Sequence, residues 1–139
     1  MQRELKEHYS MEELRSIIHD LRAEGGCPWD RTLTYESLKP FIGEETAEVQ
    51  AAVDHGDMEN LCEELGAVLL QILLYSDIAD EDGHFNFDDV INGLARKMIR
   101  RHPHVFGDEK AETPEEALAI WKRVKAEEKA ERRNKAHRI

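Results

Sequence analysis

Residues 61–76 read LCEELGAVLLQILLYS, a run in which Glu63 and Glu64 are the only charges. Helical spacing extends it to a helix over 58–78, and so few charges predict that residues 61–76 are largely buried. Asp57 is its expected N-cap and Asp82-Gly83 its stop. Working backward, His55-Gly56-Asp57 is a turn. Before it, another helix starts near Thr34, is interrupted or re-initiated at Pro40, and runs to about Asp54. So short a connection makes the two helices antiparallel neighbours.

The outer segments keep the helical period. Ser10 with Glu13 three residues on forms a capping box, and Leu14, Ile17, Ile18 and Leu21 follow as an apolar stripe that Gly25-Gly26 stops. Asn86 is placed to cap a helix reaching Arg101, and Pro103 forbids its simple continuation. Thr113-Pro114-Glu115-Glu116 joins an N-cap, a proline at the first helical position and a capping glutamate. A strongly charged helix through the 120s follows. No alternating segment has strand length. The expectation is an all-α antiparallel bundle, four core helices plus a charged C-terminal helix, as one domain over residues 1–128. Residues 129–139 are expected to be a basic, frayed tail.

At 139 residues and 16.1 kDa the chain fits one domain with one core. Hydrophobic residues at 40% argue against disorder, and charged residues at 35% against a membrane protein. The start MQRELKEHYS lacks the apolar stretch of a secretory signal. Cys27 and Cys62 form no C-x-x-C pair, and reduced, packed thiols in a cytoplasmic protein are the plain reading. A net charge of −11 disfavours stable nucleic-acid binding but allows a small phosphorylated ligand accompanied by divalent cations.

The acids carry the chemistry. With Glu44 at zero on a helical wheel, Glu48 falls at about 40° and Glu45 at about 100°. Phe41 and Ala52 lie in the same arc, so the glutamates share a face with residues that point inward. On the following helix Glu64 borders the apolar face of Leu61, Val68, Ile72 and Tyr75, with Ala67 and Gln71 just to its other side. Two like charges about 4 Å apart repel by roughly 4 kcal/mol at an effective dielectric near 20, so facing glutamates need a proton or a cation. Oxygen-only ligands suit Mg²⁺ or Mn²⁺ better than zinc. A solvated helix face accounts for this spacing equally well.

Several stretches together are more specific. GCPWDRTLTYESLKPFIGEETAEVQAAV (26–53), LCEELG (61–66), FNFDDVINGLARKMIRRHPHVFGD (85–108) and the W-x-x-x-K-x-x-E of Trp121, Lys125 and Glu128 cover most of the chain in order. The chain resembles the MazG family of all-α nucleoside triphosphate pyrophosphohydrolases. That resemblance implies a MazG-like bundle, usually a homodimer, that hydrolyses nucleoside triphosphates with Mg²⁺ to monophosphate and pyrophosphate. It also implies a metal site built from E-E-x-x-E and E-x-x-D. Glu45 and Glu48 then become ligands beside Glu44, and Glu64 opens the second half. Where the pattern puts aspartate this chain has Ala67, whose methyl binds no metal. The alanine reads as an engineered trap, as natural divergence leaving a weak enzyme or a binding protein, or as offset by the Gln71 amide oxygen. Impaired turnover with nucleotide binding partly kept is the favoured outcome.

A carboxylate free of metal, Glu44 or Glu45, would orient the attacking water. Lys97, Arg100 and Arg101 at i, i+3 and i+4 suit either phosphate contact or the negative end of their helix. Trp29 and Trp121 suit base stacking or packing, and the resemblance favours Trp121 with Lys125 one turn on. His102 and His104 flank Pro103 as a rigid corner. The alternative function is a nucleotide-binding or protein-interaction bundle without turnover. A di-iron site is disfavoured because the one E-x-x-H, Glu81 to His84, falls at a glycine turn.

Overall fold

The computed structural model describes residues 2–136. They form α1 (Met11–Arg22), a 3₁₀ turn (Asp30–Thr32), α2 (Tyr35–His55), α3 (Met58–Glu81), α4 (Phe87–Arg101), α5 (Pro103–Phe106) and α6 (Pro114–Ala136). No strand occurs among the described residues, so the all-α reading holds. The described chain divides after Phe87 into two compact units.

The first unit is built on the α2–α3 hairpin. Thr34 and Ser37 cap each other reciprocally at the start of α2. Gly56 adopts the left-handed conformation (φ 65°) that ends α2, and Asp57 then caps α3 by accepting from the Asn60 N–H at 3.1 Å. α2 is one helix through Pro40, against the expected interruption. The proline sits in the second turn, where it gives up the bond that the Glu36 carbonyl would accept and its ring crowds that carbonyl. The Ser10–Glu13 capping box opens α1 as expected. α1 ends where Cys27 N–H folds back to the Leu21 carbonyl, and a side chain at Gly26 would collide with the Asp20 and Leu21 carbonyls.

α1 meets the C-terminal half of α3. Arg22, its side chain buried, binds Glu81 at 2.8 Å and also donates to the Asp30 and Leu33 carbonyls, so one guanidinium ties α1, the 3₁₀ turn and α3 together. The core here is Ile18, Leu33, Leu38, Ala52, Leu73, Leu74, Ile78, Ala79 and Phe87. Only the later half of α3 is enclosed. Cys62, Glu63, Leu65 and Gly66 are exposed, so residues 61–76 are less buried than predicted, and Cys62 is not a packed hydrophobe. α1 reaches the last turns of α3, leaving α2 as the neighbour of its first half. α3 also continues to Glu81, three residues past the predicted end.

In the second unit α4, the short α5 and α6 place Ile120 and Val124 in the interior. α5 was not foreseen. Pro103 occupies its first turn, and the His102 ring nitrogen Nδ1 contacts the Met98 carbonyl at 2.5 Å, which fixes the corner. α6 extends to Ala136, so the part of the expected frayed tail that is described is helical; residues 137–139 lie outside the described residues.

Candidate active site

Two features gather the residues singled out in the sequence, one in each unit. In the first unit the capped hairpin brings the α2 glutamates opposite α3. Glu64 is half-buried, and its carboxyl stands above its ordinary value of 4.5. Burial is the largest cause, followed by the Glu45 charge, a carboxyl–carboxyl hydrogen bond with Glu45, and the weaker fields of Glu48 and Glu63. Glu45 is half-buried; Glu44 and Glu48 are exposed. The inward-face reading therefore brings Glu45 and Glu64 into contact and leaves Glu48 farther out. Accordingly, no three His, Cys, Asp or Glu side chains among the described residues converge as a ready metal cluster.

The donor chemistry nonetheless fits a hard divalent cation. A close pair of carboxyls is stable only with a shared proton or a positive charge between them. Ala67, one turn beyond Glu64, adds no oxygen. Gln71, a further turn along, is buried, and its Oε1 has no hydrogen-bond partner among the described residues. An unpaired buried amide oxygen costs about 1–3 kcal/mol. It lies on nearly the same side of α3 as Glu64, seven residues on.

The second unit is basic where it matters. A groove of about 570 Å³ runs between α4 and α6, and seven of its ten lining residues are cationic. The sequence-selected Lys97, Arg100, Arg101 and Lys125 all line it. Arg101 is buried there, donating through Nε and Nη2 to the Glu128 carboxylate at 3.2 and 2.8 Å. Arg100 reaches the other oxygen of Glu128 at 3.3 Å. The Arg101 guanidinium also lies over the Trp121 ring, 4.8 Å from its centre, and the His102 ring meets Trp121 edge-on at 5.4 Å. Trp121 is thus half-buried with Arg101 on its face, while Trp29 is largely exposed. The two arginines hold the Glu128 carboxyl below 4.5, with the Arg101 hydrogen bonds the leading cause.

The sequence reading named Glu128 as part of the W-x-x-x-K-x-x-E pattern but gave it no role as an anchor, and it did not single out the groove residues Arg96, Arg132 and Lys135. The signal was available: residues 125, 128, 132 and 135 recur at helical spacing, and so do 93, 96, 97, 100 and 101. It was obscured by treating residues after 128 as a frayed tail.

Comparison with known proteins identifies the family. The model of the MazG nucleotide pyrophosphohydrolase domain matches residues 33–106. The nucleoside triphosphate pyrophosphohydrolase/pyrophosphatase MazG of Thermotoga maritima is 46% identical over 123 residues, 88% of this chain and 47% of that protein. The uncharacterized protein YabN of Bacillus subtilis is 46% identical over 122 residues, 88% of this chain but 25% of that protein. The chain therefore spans a quarter to about half the length of these curated relatives. A crystal structure of a mazG-related protein from Thermotoga maritima superposes with a TM-score of 0.69 at 34% identity, covering 84% of this chain and 99% of that one.

Proposed function

Because the chain belongs to the MazG nucleotide pyrophosphohydrolase family, we propose that it binds nucleoside triphosphates with Mg²⁺ and hydrolyses them to monophosphate and pyrophosphate, with turnover lowered by Ala67. The observation that carries the reading is the Glu45–Glu64 carboxyl contact, a juxtaposition that calls for a cation. Glu45, Glu48 and Glu64 are the residues that would hold the metal. The Gln71 amide oxygen, buried and without a hydrogen-bond partner among the described residues, is the further oxygen that would compensate in part for the missing aspartate. Mg²⁺ when bound supplies neutralisation of phosphate charge and polarisation of the phosphorus centre. Glu44, exposed on the same helix, is the carboxylate left to orient the attacking water.

Within the second unit, the cations of the α4–α6 groove have the charge to bind phosphate. Arg101 is held rigid by Glu128 and Trp121, which preorganises that wall. Lys97 and Lys125 line the groove and bring ammonium charges to it. A homodimer fits the exposed Val53, Met58 and Leu65 at the turn end of the α2–α3 hairpin, apolar surface that a second copy would cover. Among the described residues no helix is long and apolar enough to cross a membrane. With both cysteines free, a reducing cytoplasmic setting is the consistent one.

Pyrophosphate release from a panel of ribo- and deoxyribonucleoside triphosphates tests the reading. The protein as it stands is expected to turn over slowly with Mg²⁺, and Ala67→Asp to raise the rate by at least about 10–100-fold, the range commanded by residues that merely support metal ligands. No pyrophosphate from any triphosphate after that substitution contradicts it. Nucleotide binding without product in both proteins favours the rival reading, a binding bundle without turnover.

A further inference from the structure

Within the first unit, α3 meets α1 with two carboxylates in unequal states. Glu81 is paired with Arg22 at 2.8 Å. Asp77, one turn earlier on the same face, is half-buried, and its Oδ2 has no hydrogen-bond partner among the described residues. It lines a cavity of about 410 Å³ between the two helices, with Asp80 beside it on α3 and Glu12, Arg15, Ser16 and His19 facing from α1. The other groups around it are engaged or of the wrong sign. Arg15 lies over the Phe87 ring, 5.1 Å from its centre, and Arg22 is committed to Glu81 and to the Asp30 and Leu33 carbonyls. Ser16 accepts from Arg3. Glu12, Asp80 and Glu81 add negative charge. That leaves His19, an exposed imidazole that carries positive charge only when protonated. Burial is the main cause that holds the Asp77 carboxyl above its ordinary 3.8; His19 pulls it down, Glu81 pushes it up, and Arg22 and Asp80 exert weaker opposing pulls.

A buried carboxylate oxygen without a donor destabilises the contact that buries it. One proton relieves this by either of two routes. On Asp77 it removes the charge; on His19 it supplies the counter-charge. Both act in the same direction, so the sign of the effect does not depend on which group holds the proton. We infer that His19 and Asp77 make the docking of α1 on α3 proton-dependent, a latch that loosens as the pair loses its proton. The effect reaches beyond α1. Arg22 of α1 holds the Asp30 and Leu33 carbonyls, so a loosened α1 also loosens the 3₁₀ turn that follows the exposed Trp29.

Hydrogen exchange of the intact chain between about pH 5 and pH 8, corrected for the intrinsic pH dependence of exchange, tests the latch. The readout is the protection of the α1 amides, and of the Cys27 amide that bonds the Leu21 carbonyl, relative to α2 amides. The α2 reference shares any effect of Glu64 in the same unit. Relative protection is expected to fall at least about fivefold from the acid to the alkaline end, the lower end of what an unpartnered buried polar group costs. Asp77→Asn and Asp77→Ala should both abolish that slope, whatever either does to overall stability. His19→Gln should move the fall to lower pH, because Asp77 alone then takes up the proton. An α1 slope no different from that of α2 in the unaltered chain, one that survives in both Asp77 variants, or one that His19→Gln leaves unmoved overturns the latch.

Discussion

Glu64 and Glu128 are the same side chain on two helices of one protein, and their environments push them in opposite directions. Glu64 meets burial and other carboxylates, and its proton is held more tightly than usual. Glu128 meets two arginines and gives its proton up more readily. The first arrangement is unfavourable as it stands and gains from a cation; the second is already neutralised and works as an anchor. The contrast separates a carboxylate placed for binding from one placed for structure, a distinction that counting acids cannot make.

The largest effect that sharpens this contrast comes from the anchor. Glu128→Ala leaves the buried Arg101 without its partner, and urea unfolding should register a loss of about 1.5–3 kcal/mol. Nucleotide affinity should fall with it, because Arg101 and Arg100 are no longer fixed. A variant as stable as the parent would place the anchor reading in error. A smaller effect of opposite sign is expected at Glu64. In metal-free protein its carboxyl titrates above 4.5 when folded, so repulsion is fully present above that raised value and is relieved as pH falls through it. Glu64→Gln should therefore raise the melting temperature slightly at pH 7 and have no effect below 4.5. The lowered Glu128 behaves conversely: its contribution is present above 4.5 and disappears as acid reaches its depressed value. Thermal melts of Glu64→Gln and Glu128→Gln across pH check both signs, and shifts in the same direction at pH 7 would break the comparison.

Much of the fold was legible because local signals and burial agreed. Ser10 with Glu13, Asp57, Gly56 and Pro114 mark helix ends through chemistry confined to a few residues. Pro40 misled because a proline near a helix start need not end the helix: the chain keeps its helical course beyond the lost bond to Glu36. The overestimated burial of residues 61–70 has a tertiary cause. Apolar sequence records what could be covered, not whether α1 reaches that far. In the candidate site, Glu45 and Glu64 were found by periodicity because both helices are long and regular. Arg101 could not be told from Arg100 in sequence, since only the placement of Trp121 and Glu128 separates a buried guanidinium from an exposed one.

The account turns on whether the α2–α3 carboxylates hold a divalent ion. Titrating the metal-free chain with Mn²⁺, followed by the electron paramagnetic resonance of the free ion, measures this without nucleotide or turnover. Saturable binding that weakens as pH falls toward 4.5, is largely lost in Glu64→Gln and is strengthened in Ala67→Asp is the predicted result. Mn²⁺ uptake identical in all three proteins, or none at any pH, would contradict it.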